Sequence, residues 1–298
     1  MNFYKKIIRN KKLRFKILSV LRFIPDKTMI KLQYFIKTGR RLNLKDPKRY
    51  TEKIQWYKLN YRDPIMARCA DKYLVREFVE SRGLGHILNE LYATFDNPEE
   101  ISFDNLPNSF VLKLSNGSGT NVLVKDKGKV NIEGIKKEFE SFVAQANAFA
   151  GREWVYTTDQ KKTIVAEELL CDTNQKNGIV DYKFLCFDGE PYCIAYDVDR
   201  FIDHKRNIYD IEWNNLNVSS DCECSNKEYD RPDKLDEMLD IARKLSKGFP
   251  AVRVDLYCVN SKIYFGEMTF FPWSGYVNFD PDEFDFKLGE KFVIDTKK

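Results

Sequence analysis

Two carboxylates, Asp255 and Glu267, stand twelve residues apart in the run AVRVDLYCVNSKIYFGEMTFFP at 251–272. Hard divalent cations take carboxylate oxygens together with substrate phosphates, so such a pair could hold magnesium. The run predicts a β-hairpin, with β-rich segments 252–259 and 262–269 flanking the turn-prone Asn260-Ser261. Side chains alternate along a strand, so Arg253, Asp255 and Tyr257 share one face, and Glu267 shares one with Thr269. An even loop would send the two carboxylates to opposite faces. An odd loop, such as 259–261, pairs Arg253 with Glu267 and makes Asp255 a same-face diagonal neighbour, at ~7–8 Å between backbones. Metal ions with their waters span that gap, so a shared site predicts an odd turn. The alternative is a surface hairpin whose Asp and Glu pair with Arg253.

A second constellation is SFVLKLSNGSGTNVLVK at 109–125. Lys113 leaves a strand just before a loop of small residues, Ser115, Asn116, Gly117, Ser118, Gly119 and Thr120. Such a loop offers backbone N–H groups to phosphate oxygens, and the lysine adds a point charge. It is not a Walker loop, because no Gly-Lys-Ser/Thr follows and the next element reads as a strand. An ordinary hairpin turn is the alternative, Asn-Gly being itself a turn signal. Further on, KKTIVAEELL at 161–170 reads as a strand ending in Glu167 and Glu168. Those acids could hydrogen-bond a ribose or an adenine amino group, or be solvated ends of an edge strand. A second hairpin, 181–187 and 190–199 about Asp188-Gly189, carries Lys183 and has Arg200 just past it. Its Asp197-Val198-Asp199 fits the Asp-x-Asp string of metal-dependent sugar-nucleotide transferases, or a solvated strand end.

The elements that must position these groups can be read from periodicity. Helices are predicted from Thr51 with Trp56 in the core, from Asp71-Lys72 to the glycines at 83 and 85, over 132–149, and over 232–247. A short strand is expected at 86–92, and 203–229 reads as a long irregular loop. With 298 residues, 43% hydrophobic and 32% charged, the chain reads as a globular protein of two or three small domains. Its net charge of +4 is uneven: the first 25 residues hold eight Lys/Arg and no acid, leaving the rest slightly acidic. No broad nucleic-acid surface is evident. Seven cysteines without a C-x-x-C pair, and only two histidines, argue for a reducing cytosol and against structural zinc. No run approaches the ~18–20 apolar residues of a membrane span. The basic segment 1–24 reads either as a helix packed on the domain or as a helix on the inner face of an anionic membrane.

The order of these pieces resembles the ATP-grasp ligases over roughly residues 71–288. The phrases DPKRYTEKIQWYKLN, FVLKLSNGSG, GREWVY, DYKFLCFDGEP, VRVDLY and IYFGEMTFFPWSG are similar to those of the TupA-like family within them. That resemblance implies an α+β, ATP-grasp fold in which two α+β subdomains clamp a nucleotide. It implies a helical N-terminal extension at 1–70, a pre-grasp segment at 71–108, a small subdomain at 109–165 and a C-terminal subdomain at 166–298. It implies ATP and Mg²⁺, with Lys113 and Ser115–Gly119 on the phosphates, and Glu167, Glu168 and Leu169 along adenine and ribose. Lys183 would contact phosphate, Arg253 and Arg200 the transferred phosphoryl group or acyl substrate, and Asp255, Glu267 and Thr269 the metal. Many ATP-grasp enzymes have Asn where Thr269 stands, which bears on a second metal. The implied activity is ligation of a carboxylate to an amine through an acylphosphate in surface-polysaccharide assembly. Its substrates would be a uronic acid, an amino acid or a glycan. The family is also labelled glycosyltransferase, which is the alternative and would take a sugar nucleotide.

Overall fold

The computed structural model describes residues 17–117, 119–146, 151–157, 161–172, 178–199 and 202–294. Ser118, Arg200 and most of the basic segment 1–24 lie outside them. In chain order the first elements are α1 (Asp26–Thr38), α2 (Tyr50–Asn60), α3 (Pro64–Ala70), α4 (Val75–Ser81), β1 (Leu91–Phe95), β2 (Phe110–Leu114), β3 (Asn121–Val124) and α5 (Ile132–Ala146). They are followed by β4 (Ile164–Glu167), β5 (Asp181–Phe187), β6 (Glu190–Val198), β7 (Lys205–Asp210), α6 (Leu235–Ser246), β8 (Ala251–Val259), β9 (Lys262–Thr269) and α7 (Glu283–Lys291). Among the described residues, 24–62 and 171–294 form one compact unit, and 17–23 and 63–170 form the other. This division differs from the expected boundaries. Residues 24–62 belong with the C-terminal sheet, and a boundary at 165/166 would cut β4.

The unit of 63–170 holds a four-stranded antiparallel sheet in the order β1-β4-β2-β3. Alternation in FVLKL places Phe110, Leu112 and Leu114 in a core with Ile164 and Ala166 of β4 and with Ile135 and Phe139 of α5. Burying a side chain such as Phe139 contributes about 1.5–3 kcal/mol. The opposite face carries Val111 and Lys113. The seven-residue α3 escaped the periodicity reading because it is too short to show a stripe, although Asp63 caps it by accepting from Ile65 N (3.1 Å) and Pro64 opens it. Where a strand was expected at 86–92, a 3₁₀ turn at Gly85–Ile87 comes first and β1 begins at Leu91.

The other unit holds a five-stranded antiparallel sheet in the order β7-β6-β5-β8-β9. One face is apolar, with Phe184, Ile194, Val254, Leu256, Phe265 and Met268 all buried. Leu235, Met238, Leu239, Ala242 and Leu245 of α6 are buried as the helical spacing predicts. The stretch 203–229, expected to be irregular, contains β7, which pairs with β6 through Ile194↔Tyr209 and Asp197↔Arg206. Its polar residues pair with charges on the sheet, which disguised it. Trp56, expected in the core, is half-buried.

α2 ties the two ends of this unit together. Buried Asp285 of α7 accepts from Thr51 N (3.0 Å) and Thr51 Oγ1 (2.7 Å) at the start of α2. From its far end, Lys58 Nζ donates to Ser274 O (2.8 Å) and Gln55 Nε2 to Gly275 O (2.8 Å). Those carbonyls belong to the turn Pro272–Gly275, in which Trp273, Ser274 and Gly275 have φ of 52°, 55° and 63°. A Cβ on Gly275 would lie 2.4 Å from Gln55 Nε2, so the turn closes only with glycine there. The phrases at 46–60 and 263–275, far apart in sequence, therefore specify one joint.

Candidate active site

The β8–β9 hairpin corrects the expected parity. Its turn has two residues, Asn260 and Ser261, both with left-handed φ (50° and 61°), the arrangement that matches strand twist. That even turn would put Asp255 and Glu267 on opposite faces. A bulge reverses the outcome: Leu256 pairs with Phe265 but Asp255 pairs with Glu267, leaving Gly266 as the extra residue. A Cβ on Gly266 would lie 2.9 Å from the backbone oxygen of Asp255, so the bulge needs glycine. The two carboxylates end up directly opposite one another on one face. Arg253 lies across from Thr269, not from Glu267 as the odd-turn register required.

Around this pair the face is charged on every strand. Arg253 donates from Nε to Asp255 Oδ1 (2.6 Å), and from Nη2 to Asp255 Oδ2 (2.7 Å), Glu267 Oε1 (2.8 Å) and Thr269 Oγ1 (3.1 Å). Thr269 Oγ1 donates to Glu267 Oε1 (3.0 Å). On β5, Lys183 Nζ donates to Asp255 Oδ2 and Asp181 Oδ1, each at 3.0 Å, and lies 3.8 Å from Asp197 Oδ2. Arg206 of β7 then grips Asp197 through Nε and Nη2, and reaches Asp221 through Nη1. The sequence reading picked out Lys183, Arg253, Asp255, Glu267 and Thr269 but missed Asp181, Asp197 in this role, and Arg206. Cross-strand pairing was the absent signal: Asp181↔Asp197↔Arg206 becomes visible only once β7 is placed.

Most of this network is out of water. Asp255, Asp181 and Asp197 are each 1% exposed, whereas the Glu267 side chain is 42% exposed. Burial pushes the Asp197 carboxyl up, but hydrogen bonds from His204 and Arg206 and the charges of Arg206 and Lys183 outweigh it, leaving the pKa well below the usual carboxylate range. Burial likewise works against the Arg253 charge, and Asp255 and then Glu267 more than restore it, raising its pKa. A depressed carboxyl stabilises the fold above its unfolded pKa of ~3.9, and that stability is lost as pH falls toward the folded value. Acid unfolding between about pH 4 and 2 should therefore be steep in the native chain and shallower in Asp197→Asn, read as melting temperature against pH. Equal slopes would show that Asp197 is not a depressed carboxyl.

The unit of 63–170 carries its own constellation. Lys113 Nζ donates to Glu167 Oε2 (2.7 Å), with Asn89 Nδ2 at 3.3 Å from the same oxygen and Arg76 Nη1 at 3.7 Å from Oε1. Burial pushes Glu167 up, but Lys113, Asn89 and Arg76 together hold its pKa below the ordinary value. Glu168 is turned to β1, accepting from Glu90 N (3.3 Å). The loop after β2 is anchored from behind. Ser115 Oγ donates to Asp71 Oδ2 (2.6 Å), Lys72 N to Ser115 O (2.8 Å), and Lys72 Nζ to Gly117 O (2.6 Å). Asn116 Oδ1 and Thr120 Oγ1 are buried with no hydrogen-bond partner among the described residues. A Cβ on Gly117 would lie 2.3 Å from Thr120 Oγ1, so the loop folds tightly on itself.

The family model described as TupA-like ATPgrasp matches residues 52–293. This chain belongs to that family. Its fold is ATP-grasp, of the α+β class, in keeping with the two antiparallel sheets. Among solved structures, D-alanine–D-alanine ligase from Bacillus anthracis complexed with ATP is 16% identical, with a TM-score of 0.38, covering 68% of this chain and 53% of its own. The Helicobacter pylori D-alanine–D-alanine ligase is 16% identical at TM-score 0.42, covering 76% and 61%. N5-carboxyaminoimidazole synthetase from Staphylococcus aureus is 14% identical at 0.39, covering 68% and 44%. The TupA-like chain thus spans about half the length of these proteins. No curated protein matches it.

The donor set on the charged face suits magnesium. Asp255, Glu267 and Thr269 supply hard oxygens, and the Arg253 guanidinium lies between the two carboxylates and offsets their charge. Among the described residues no group of three His, Cys, Asp or Glu forms a preassembled metal cage.

Proposed function

We propose that this TupA-like protein is an ATP- and Mg²⁺-dependent carboxylate–amine ligase. The observation that carries the reading is the Arg253 bridge between Asp255 and Glu267 on a buried, charged sheet face, in a chain of ATP-grasp family. In the reaction a carboxylate oxygen attacks the γ-phosphorus of ATP and ADP leaves. An amine nitrogen then attacks the acyl carbon of the acylphosphate, and phosphate leaves. Phosphoryl transfer depends mainly on positioning and on neutralising charge. Lys113 and the backbone of Ser115–Gly119 would hold phosphate oxygens, with Glu167, Glu168 and Leu169 near the nucleoside. Arg253 and Lys183, each held by carboxylates, would present fixed positive charge to the transferred group without reorganising, and Arg200 would add to them. Asp255, Glu267 and Thr269 would hold Mg²⁺, which when bound neutralises phosphate charge.

The substrates proposed are a uronic acid or amino acid and an amine in surface-polysaccharide assembly, a reading that rests on the TupA-like phrases. The alternative is a glycosyltransferase taking a sugar nucleotide, with the metal on the Asp197-x-Asp199 string; Asp197 is held by Arg206, Lys183 and His204, as Asp255 is by Arg253 and Lys183. ATP with Mg²⁺ at ~100 times its dissociation constant should stabilise the protein by ~2.7 kcal/mol, with UDP-sugars giving less. A melting shift with a UDP-sugar and none with ATP would overturn the proposal.

A further inference from the structure

No helix among the described residues is long and apolar enough to cross a membrane, but α1 has an outward face that water alone does not explain. Its inner side is buried through Met29, Ile30, Gln33, Tyr34 and Thr38. The outer side of a globular protein's surface helix is ordinarily polar. Here Leu32, Phe35 and Ile36 are 48%, 54% and 46% exposed. Lys27 and Lys31 precede them on the same side, Lys31 one turn before Phe35, and exposed Arg41 follows the helix. Neither lysine has an ion-pair partner among the described residues, and this outward row contains no acid. The chain leading into the helix adds eight Lys/Arg and no acid in its first 25 residues.

We propose that this face of α1 docks on an anionic lipid bilayer, the helix lying flat with its apolar ridge in the headgroup boundary. Charge and apolar surface are complementary to that occupant. Cations at either end of a short apolar ridge suit lipid phosphates and carboxylates. The cores of protein–protein interfaces are depleted in lysine, whereas a lysine at a bilayer lays its stem on the apolar layer and lifts its ammonium to the headgroups. A cavity of about 300 Å³ at the start of α1 is lined by Lys27, Leu44, Trp56, Leu59 and Asn60.

The test is sedimentation of the full-length protein with vesicles of phosphatidylcholine and phosphatidylserine (7:3) against pure phosphatidylcholine, in 0.15 M salt. The native chain should sediment with the anionic vesicles and much less with the neutral ones. Leu32→Ser/Phe35→Ser/Ile36→Ser should weaken partitioning about tenfold or more. Lys27→Glu/Lys31→Glu, which leaves the ridge intact, should also weaken it about tenfold. Both variants should melt like the native protein, because the replaced side chains are exposed. Absence of native binding to anionic vesicles would overturn the proposal. So would native-like binding by the serine variant, which would leave the binding to the basic segment before the helix. A native dimer at micromolar concentration that the serine variant makes monomeric, with vesicle binding unchanged, would assign the face to a second copy of the chain.

Discussion

Replacing Glu267 with glutamine is expected to lower ATP turnover by about 10²–10³-fold while moving the melting temperature by no more than ~2 °C. The two effects separate because of where the side chain sits. Glu267 is 42% exposed and pairs with Arg253 at 2.8 Å. A partly exposed pair of this kind stabilises by at most about 1 kcal/mol. Its proposed work, holding a cation opposite Asp255, needs the second negative charge that glutamine lacks. Steady-state ADP release and a melting curve on the same preparation decide the matter. Near-native turnover would remove Glu267 from the site, and a large loss of stability would make its role structural.

Asp255→Asn is expected to do both kinds of damage. Asp255 is 1% exposed and accepts from Arg253 twice and from Lys183 once. An amide keeps the shape but leaves two buried cations short of one carboxylate. Removing one partner of a buried pair costs about 3–5 kcal/mol, so the melting temperature should drop by roughly 10 °C. Turnover should fall as far as in Glu267→Gln. The double variant should lose little more activity than either alone, because groups acting as a unit are strongly non-additive. Multiplying losses would mean that the two carboxylates act separately.

How much of this was legible in the sequence differs from residue to residue. The β5–β6 hairpin with its Asp188-Gly189 turn and the α6 stripe follow directly from period and turn chemistry. The β8–β9 register did not, because counting loop residues assumes an unbroken ladder. Gly266 was the readable clue: a lone glycine inside a strand run marks a bulge, and one extra residue there restores what the even turn would destroy. Asp181, Asp197 and Arg206 were hidden for another reason. Each sits in its own strand, and nothing local reveals that three strands align them beside Lys183. β7 in particular reads as polar loop, since KRNIYD offers a sheet charged as well as apolar side chains. In the unit of 63–170, Lys113 and Glu167 were both singled out. Their direct 2.7 Å contact, and the support of Arg76, Asn89 and the Asp71-Lys72 anchor, depend on pairings between distant segments.

Hydroxylamine trapping tests the central claim most directly. The protein is incubated with Mg²⁺, ATP and a panel of uronic and amino acids, and hydroxylamine stands in for the amine. Activation of a carboxylate predicts a hydroxamate whose amount matches the ADP formed, strictly dependent on ATP and lost in Glu267→Gln. Transfer from a UDP-sugar with ATP left unconsumed, and no hydroxamate from any acid, would contradict the ligase account.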